Sequence, residues 1–324
     1  MSNFSQLVGR WEFLWRKQHV MIWAFGWATL SLLTYVLFSG SAQSTDRPLW
    51  YRIFTGYVLQ DVALVVAGIL CLRNGLSRRM PSGTIVWLLM GIALISYLCG
   101  NIFFSSWELV WQLSSTGSLG DPFYVIFYIC LALAMILAIV SKQARLQVAH
   151  WLIVFGISVY AITIALWVLK PPADSPPVAI VQTQPSAAAS ASSSSIPVVA
   201  PAVEPTTVAP AWVMFFDRLM KPYGQRLNVF YVWCDVALFT LATVMILAFW
   251  GGRLSNAWQI TTQAVVCYYI ADMWFAYAGN HIQDYQGGFM LEVFWILGTI
   301  QFGVAAATEF EHMLARQNTS FDES

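Results

Sequence analysis

Eight stretches of this chain are each an almost unbroken run of about twenty apolar residues, at 20–38, 51–72, 84–107, 122–141, 149–169, 228–250, 257–279 and 289–308. A hydrocarbon layer about 30 Å thick is crossed by about 20 residues rising about 1.5 Å each. In lipid every backbone amide must find its partner within the chain, and a helix does this for itself. Transmembrane strands would need alternating polarity, which these runs lack. The runs therefore predict an all-α integral membrane protein with eight transmembrane helices. Composition agrees: 10% of the 324 residues are charged, against about 25% in soluble domains. Sixteen basic and sixteen acidic residues balance, which leaves no electrostatic footprint for nucleic acid. The lipid bilayer is the first expected partner.

Orientation follows from basic residues in the short loops. One side holds ten: Arg10, Arg16, Lys17, Arg73, Arg78, Arg79, Lys142, Arg145, Arg253 and Arg316. The short loops of the other side hold Arg47 and Arg52. Lys170, Arg218, Lys221 and Arg226 belong to a long loop, which carries little topological weight. The asymmetry predicts a multi-pass protein of the plasma (inner) membrane with both termini cytoplasmic. Residues 1–19 form a cytoplasmic segment and 311–324 a short cytoplasmic tail. The first run, at 19 residues, exceeds the 7–15 of a signal-peptide core and reads as a span. Tryptophans are expected in interfacial belts, with Trp11, Trp15, Trp87 and Trp258 inside and Trp50, Trp107, Trp111 and Trp212 outside.

Residues 171–211 carry nine of the thirteen prolines, an Ala/Ser-rich middle and two charges, Asp174 and Glu204. No periodic apolar face is present to offset ordering entropy, which predicts a disordered extracytoplasmic tether. A docking arm is the functional alternative. Trp212, Phe215, Phe216, Leu219 and Met220, interleaved with Asp217, Arg218 and Lys221, suit a short amphipathic helix on the outer surface.

The two halves resemble each other. Tyr57-Val-Leu-Gln-Asp61-Val-Ala-Leu aligns with Tyr231-Val-Trp-Cys-Asp235-Val-Ala-Leu. At an offset of 171, Tyr97 meets Tyr268, Asn101 meets Asp272, Phe104 meets Phe275, Gly117 meets Gly288, Asp121 meets Glu292 and Tyr124 meets Trp295. Phe25-Gly26 pairs with Phe155-Gly156. The expected organisation is a 4+4 parallel internal duplication. Its first repeat is 20–142; its second, 149–310, is interrupted by the tether. Four helices per repeat give both halves one orientation, related by an axis along the membrane normal.

Six polar residues of the duplication fall in the outer half of the spans: Asp61, Asn101 and Asp121, matched by Asp235, Asp272 and Glu292. A carboxylate inside a span costs about 2.5–3.5 kcal/mol on insertion scales and needs a partner or a proton. Asp121 and Glu292 also suit helix N-termini, where the macrodipole favours negative charge. Asp61 and Asp235 are either structural, held by Tyr57 and Tyr231 one turn earlier or by neighbouring helices, or part of a ligand or proton site. Asn101 suits an interhelical hydrogen bond. Together with Tyr57 and Tyr231 these six are the candidate outer-half site. Five cysteines in apolar runs, with no CxxC, read as free packed thiols, and four histidines near the run ends exclude haem ligation at mid-membrane.

Gly120-Asp121-Pro-Phe-Tyr124-Val-Ile-Phe-Tyr128 and Tyr285-Gln-Gly-Gly-Phe-Met-Leu-Glu292-Val-Phe-Trp295-Ile-Leu-Gly298 resemble the acidic-aromatic helix starts of multi-helix membrane sensor regions in bacterial signalling proteins. The resemblance implies a sensing region of the kind that precedes diguanylate cyclase or histidine kinase domains. Neither output signature occurs here, so at most the sensing or scaffolding half is expected. No catalytic motif is found either: there is no P-loop, GxSxG, HExxH or dinucleotide fingerprint. The expectation is a non-enzymatic membrane sensor or scaffold, without cofactor or metal. It would bind a small or lipid-like ligand or a membrane partner at its outer half, with a cytoplasmic output protein as a further expected partner. A proton-coupled transporter built from parallel repeats and an assembly factor for a membrane complex are the alternatives. Reporter fusions within 73–83 should report the cytoplasm and fusions within 171–211 the far side; the reverse result overturns the orientation.

Overall fold

The structure is a computed structural model that describes residues 16–40, 47–77, 80, 83–113, 117–141, 146–170, 209–249, 255–282, 285 and 287–322. Most of the Pro/Ala/Ser-rich tether, 171–208, lies outside the described residues, as do Arg10, Arg78, Arg79, Lys142, Arg145, Arg253, Trp11 and Trp15. Among the described residues the chain is helical throughout and holds no strand.

The helices are α1 (Lys17–Phe38), α2 (Leu49–Leu76), α3 (Thr84–Leu109), α4 (Asp121–Ser141), α5 (Val148–Leu169), α6 (Ala211–Met220), α7 (Gly224–Ala248), α8 (Ser255–His281) and α9 (Val293–Asp322). Seven spans are long and apolar enough to cross a membrane, with α6 and α7 running together as one of them. These are the dimensions of a multi-pass membrane protein. At 27 residues α8 is long enough as well, but it carries Gln259, Thr261, Thr262, Gln263, Asp272 and Asn280. It tolerates them because it packs against α5, α7 and α9, and Thr261 and Thr262 are buried there. Two boundaries differ from the apolar runs. Residues 311–322 continue α9 as helix rather than forming a separate tail. The short amphipathic helix expected after the tether is α6, which buries Val213 and Asp217.

Within the first half α3 packs between α2 and α4; within the second α8 packs on α7, α5 and α9. Across the halves α9 packs on α2 and on α1, and α4 packs on α7. The interior contact of α3 with α8 is made by aromatic rings. Trp87 meets Trp258 with centroids 5.7 Å apart, Tyr97 meets Tyr268 at 5.4 Å, and Phe104 meets Phe275 at 6.2 Å. From residue 87 to 104 this column runs about 26 Å along α3, at about 1.5 Å per residue.

The column corrects the tryptophan assignment. Trp87, Trp258 and Trp107 are fully buried, not interfacial anchors. Depth in the bilayer is the same for a ring facing lipid and a ring facing protein, so span position alone does not separate the two. Trp50 and Trp212, half exposed, fit the belt. All five cysteines are free thiols.

Helix contacts are closest at small residues, as lipid-embedded packing requires. A Cβ at Gly75 would lie 2.6 Å from the Leu88 backbone, whereas one at Gly156 meets nothing within 4 Å. Gly75→Ala should therefore cost about 1–3 kcal/mol through overpacking, while Gly156→Ala, relieved of helix-interior glycine, should be neutral or stabilising. Melting of the two variants in detergent checks the contrast.

Candidate functional site

Between the halves lies a cavity of about 710 Å³. Its wall includes Asn101, Asp121, Tyr231, Asp235, Asp272 and Glu292, six of the eight residues nominated from sequence. It sits toward the end of the bundle where α3 leads into 110–113, α7 begins and α8 leads into the 282–289 loop. Asp61 does not line the cavity and reaches its wall through Asn101; Tyr57 does not line it either.

The first half builds its polar pair on a widened helical turn. Residues Phe54–Leu59 of α2 form a π-helical turn. Asn101 Nδ2, from α3, donates to the Gly56 carbonyl at 3.0 Å and to Asp61 Oδ1 at 2.5 Å. A foreign donor that takes a backbone carbonyl is one recognised cause of such a departure from the α-ladder. The amide thus satisfies a freed carbonyl and a carboxylate together, the interhelical role expected of Asn101.

A second polar pair, on α7 and α8, consists of two carboxyls. Asp235, on α7 and almost fully buried, accepts from Tyr128 Oη of α4 at 2.8 Å. Asp272, on α8, accepts from Trp295 Nε1 of α9 at 2.7 Å. The two carboxyls face each other within hydrogen-bonding reach.

Asp121 and Glu292 hold the loops that precede α4 and α9. Asp121 Oδ2 accepts the Ser118 amide at 2.8 Å, and its Oδ1 accepts Tyr231 Oη at 2.7 Å. Glu292 Oε2 accepts the Gly288 amide, and its Oε1 accepts Tyr285 Oη, both at 2.5 Å. Each loop turns through a left-handed glycine four residues earlier, Gly117 at φ 79° and Gly288 at φ 101°. A Cβ at Gly117 would lie 2.9 Å from Lys221 Cα, and one at Gly288 would lie 2.9 Å from the Tyr51 ring. Glycine is needed there for both backbone angle and space. Tyr51 Oη donates to the Gly288 carbonyl at 2.7 Å, and Arg47 Nη1 reaches the Gly287 carbonyl at 3.5 Å. Burial, then the Glu292 charge and the hydrogen bond to it, push the Tyr285 phenol above its ordinary value. These contacts give Asp121 and Glu292 the loop-holding role expected at helix N-termini, and both also line the cavity.

Of the two structural alternatives, the contacts favour neighbouring helices over the tyrosine one turn earlier. Tyr231 does not hold Asp235: its hydroxyl crosses to Asp121. Tyr57 does not hold Asp61, since its hydroxyl turns to Ser105 and Ser106. A tyrosine one turn before an acid on a helix is near it in sequence, but its long side chain carries the hydroxyl on to a neighbouring helix. Three donors went unrecognised: Tyr128, Trp295 and Tyr285. A signal for the first was present, because Asp121, Tyr124 and Tyr128 share one helical face at i, i+3 and i+7. The Arg52–Glu108 ion pair at the cavity mouth was also missed; nothing in the sequence pairs those two positions.

Among the described residues no group of three or more His, Cys, Asp or Glu is placed to hold a metal ion. In comparisons with protein-family models, with characterised proteins and with solved structures, nothing matches the chain.

Tyr231→Phe removes the donor from α7 to Asp121 and leaves the backbone donor in place. It should cost about 1–3 kcal/mol, read as a melting temperature in detergent lower by about 2–6 °C. An unchanged melting temperature would remove the link from the stability of the α4–α7 contact.

Proposed function

We propose that this is a ligand-binding membrane sensor whose site is the cavity between two four-helix repeats. The observation that carries the reading is convergence: Asn101, Asp121, Asp235, Asp272 and Glu292 come from five different helix starts and spans, yet line one space. Polar groups that served only helix packing would have no reason to share a cavity of ligand size, for which about 300–1,000 Å³ is usual.

The finer architecture belongs to this proposal. Eight spans, with α8 counted and α6–α7 taken as one, form a 4+4 parallel duplication in the plasma (inner) membrane, both termini cytoplasmic. Several contacts support it. Trp87–Trp258, Tyr97–Tyr268 and Phe104–Phe275 are each 171 residues apart and touch their own counterparts. A residue that meets its repeat mate lies on a two-fold axis, and a column of three along α3 sets that axis parallel to the helices. The contacts of α9 with α2 and of α4 with α7 are repeat mates as well. Gly117 and Gly288 each press on the element that leads into the second helix of the other repeat, at Lys221 and at Arg47 and Tyr51. Lys221 and Arg47 are themselves counterparts at the offset of 174 that relates Tyr57 to Tyr231. One departure stands out: α1 packs on α9, whereas α5 packs on α7 and α8.

As a sensor the protein would pass occupancy of the cavity to a membrane partner or a cytoplasmic output protein, in line with the resemblance to bacterial sensor regions. It carries no reaction of its own in this reading. A proton-coupled transporter is the second reading, favoured by the facing carboxyls of Asp235 and Asp272; flux in proteoliposomes with an internal pH dye would replace the sensor with it.

Gly279 provides the test. It lines the cavity, and a Cβ there meets nothing within 4 Å. Gly279→Phe should fill the space with the fold intact. In a small-molecule screen by thermal stabilisation, compounds that stabilise the wild-type chain should lose most of their effect on this variant. Hits that stabilise both chains equally would move the ligand site elsewhere, and a screen without hits would overturn the ligand-binding reading.

A further inference from the structure

Resting on the ligand-binding reading, we infer that the cavity takes a small organic cation, with its charged nitrogen held at Asp235 and Asp272 and its apolar body against the surrounding rings. The charge balance of the wall is one-sided. Among the described residues that line it, Glu108, Asp121, Asp235, Asp272 and Glu292 are acidic, and Arg52 is the one Lys or Arg. Arg52 is taken by Glu108. Asp121 and Glu292 are each met by a backbone N–H and a tyrosine hydroxyl, so their oxygens are provided for.

Asp235 and Asp272 differ. Each receives one donor from an aromatic side chain, from Tyr128 and from Trp295. The two carboxyls otherwise lie within hydrogen-bonding reach of each other, and neither receives a second donor from the described side chains. The counterpart pair in the first half shows what the position requires. There Asn101 stands where Asp272 stands, and its amide donates to Asp61 at 2.5 Å. Exchanging amide for carboxyl deletes the donor and adds an acceptor at the cavity wall. An ammonium group supplies both missing things, N–H donors and positive charge.

The rest of the wall suits the body of such a molecule. Tyr97, Phe104, Tyr124, Tyr128, Tyr231 and Phe275 line the cavity, and Tyr128 and Tyr231 are stacked with centroids 5.7 Å apart. Ring faces attract organic cations, most strongly where water is thin. A multivalent metal ion is the poorer occupant, because no metal-holding group of three ligands is present among the described residues. The glycines Gly56 and Gly279 on the wall leave open space where side chains would otherwise intrude.

Four probes of matched size separate charge from shape: 2-phenylethylamine and benzyltrimethylammonium as cations, 2-phenylethanol as the neutral analogue and phenylacetate as the anion. Binding to the purified full chain in nanodiscs at neutral pH and fixed ionic strength is read by calorimetry. The cations should bind at least ten-fold more tightly than the alcohol and the acid. Asp235→Asn and Asp272→Asn should each weaken the cations ten-fold or more and leave the alcohol unchanged. Glu311→Gln, at a half-exposed ion pair with Lys17, should change nothing. If the alcohol or the acid binds as well as the cations, or if the two Asn variants bind the cations normally, the inference fails while the ligand-binding reading stands. No binding by either cation also overturns it, and the reading beneath it then answers to the Gly279→Phe screen alone. The charge comparison on the wild-type chain decides the matter even if both Asn variants fail to fold.

Discussion

A carboxyl group set among apolar helices is costly unless donors meet it, and the interior of this protein is arranged around supplying donors to five of them. Every donor described crosses from another helix or comes from the loop the carboxyl itself holds. Asn101 of α3 serves Asp61 of α2, Tyr128 of α4 serves Asp235 of α7, and Trp295 of α9 serves Asp272 of α8. Tyr231 of α7 returns the link from the second half to Asp121 of the first. Burying such groups without a partner costs several kcal/mol. The helices that carry them are therefore tied in relative position more tightly than apolar packing between lipid-like surfaces would achieve. The polar network and the helix arrangement are one construction, and the cavity is the room left inside it.

How much of this can be read from the chain differs by level. The spans are legible because about twenty consecutive apolar residues leave the backbone one economical conformation. α8 marks the edge of that rule: its threonines and glutamines lower its apolar character, and only its position among α5, α7 and α9 explains them. The polar residues that share the cavity are legible through the offsets of 171 and 174, since matched polar positions in two apolar halves are a costly coincidence. Their partners are not legible. A span records which residues lie at one depth but not which neighbour each side chain faces. The sequence therefore does not separate a tyrosine one turn before each acid from donors on neighbouring helices, nor a buried Trp87 or Trp258 from an interfacial one. The π-helical turn at Phe54–Leu59 is invisible in the sequence for the same reason: the Asn101 amide that bonds a carbonyl within it sits on another helix.

The loops before α4 and α9 show how local chemistry and distant packing agree on one residue. Gly117 and Gly288 are required by their backbone angle, and independently by what presses against them. The acid four residues later then collects an amide of the turn. Each loop is fixed at both ends by interactions of different kinds, and the cavity wall inherits that rigidity at its mouth.

The exchange of Asn101 for Asp272 has a consequence for anything that enters. A cavity with a true two-fold axis offers every occupant two poses of equal energy, related by half a turn, and cannot tell them apart. In the proposed duplication an amide at Asn101 and a carboxyl at its counterpart, Asp272, remove that degeneracy. As a ligand site, such a cavity would present opposite demands at counterpart positions, and a polar molecule with distinct ends would be held in a single direction. A vessel made of two similar halves acquires a head and a tail from one pair of side chains.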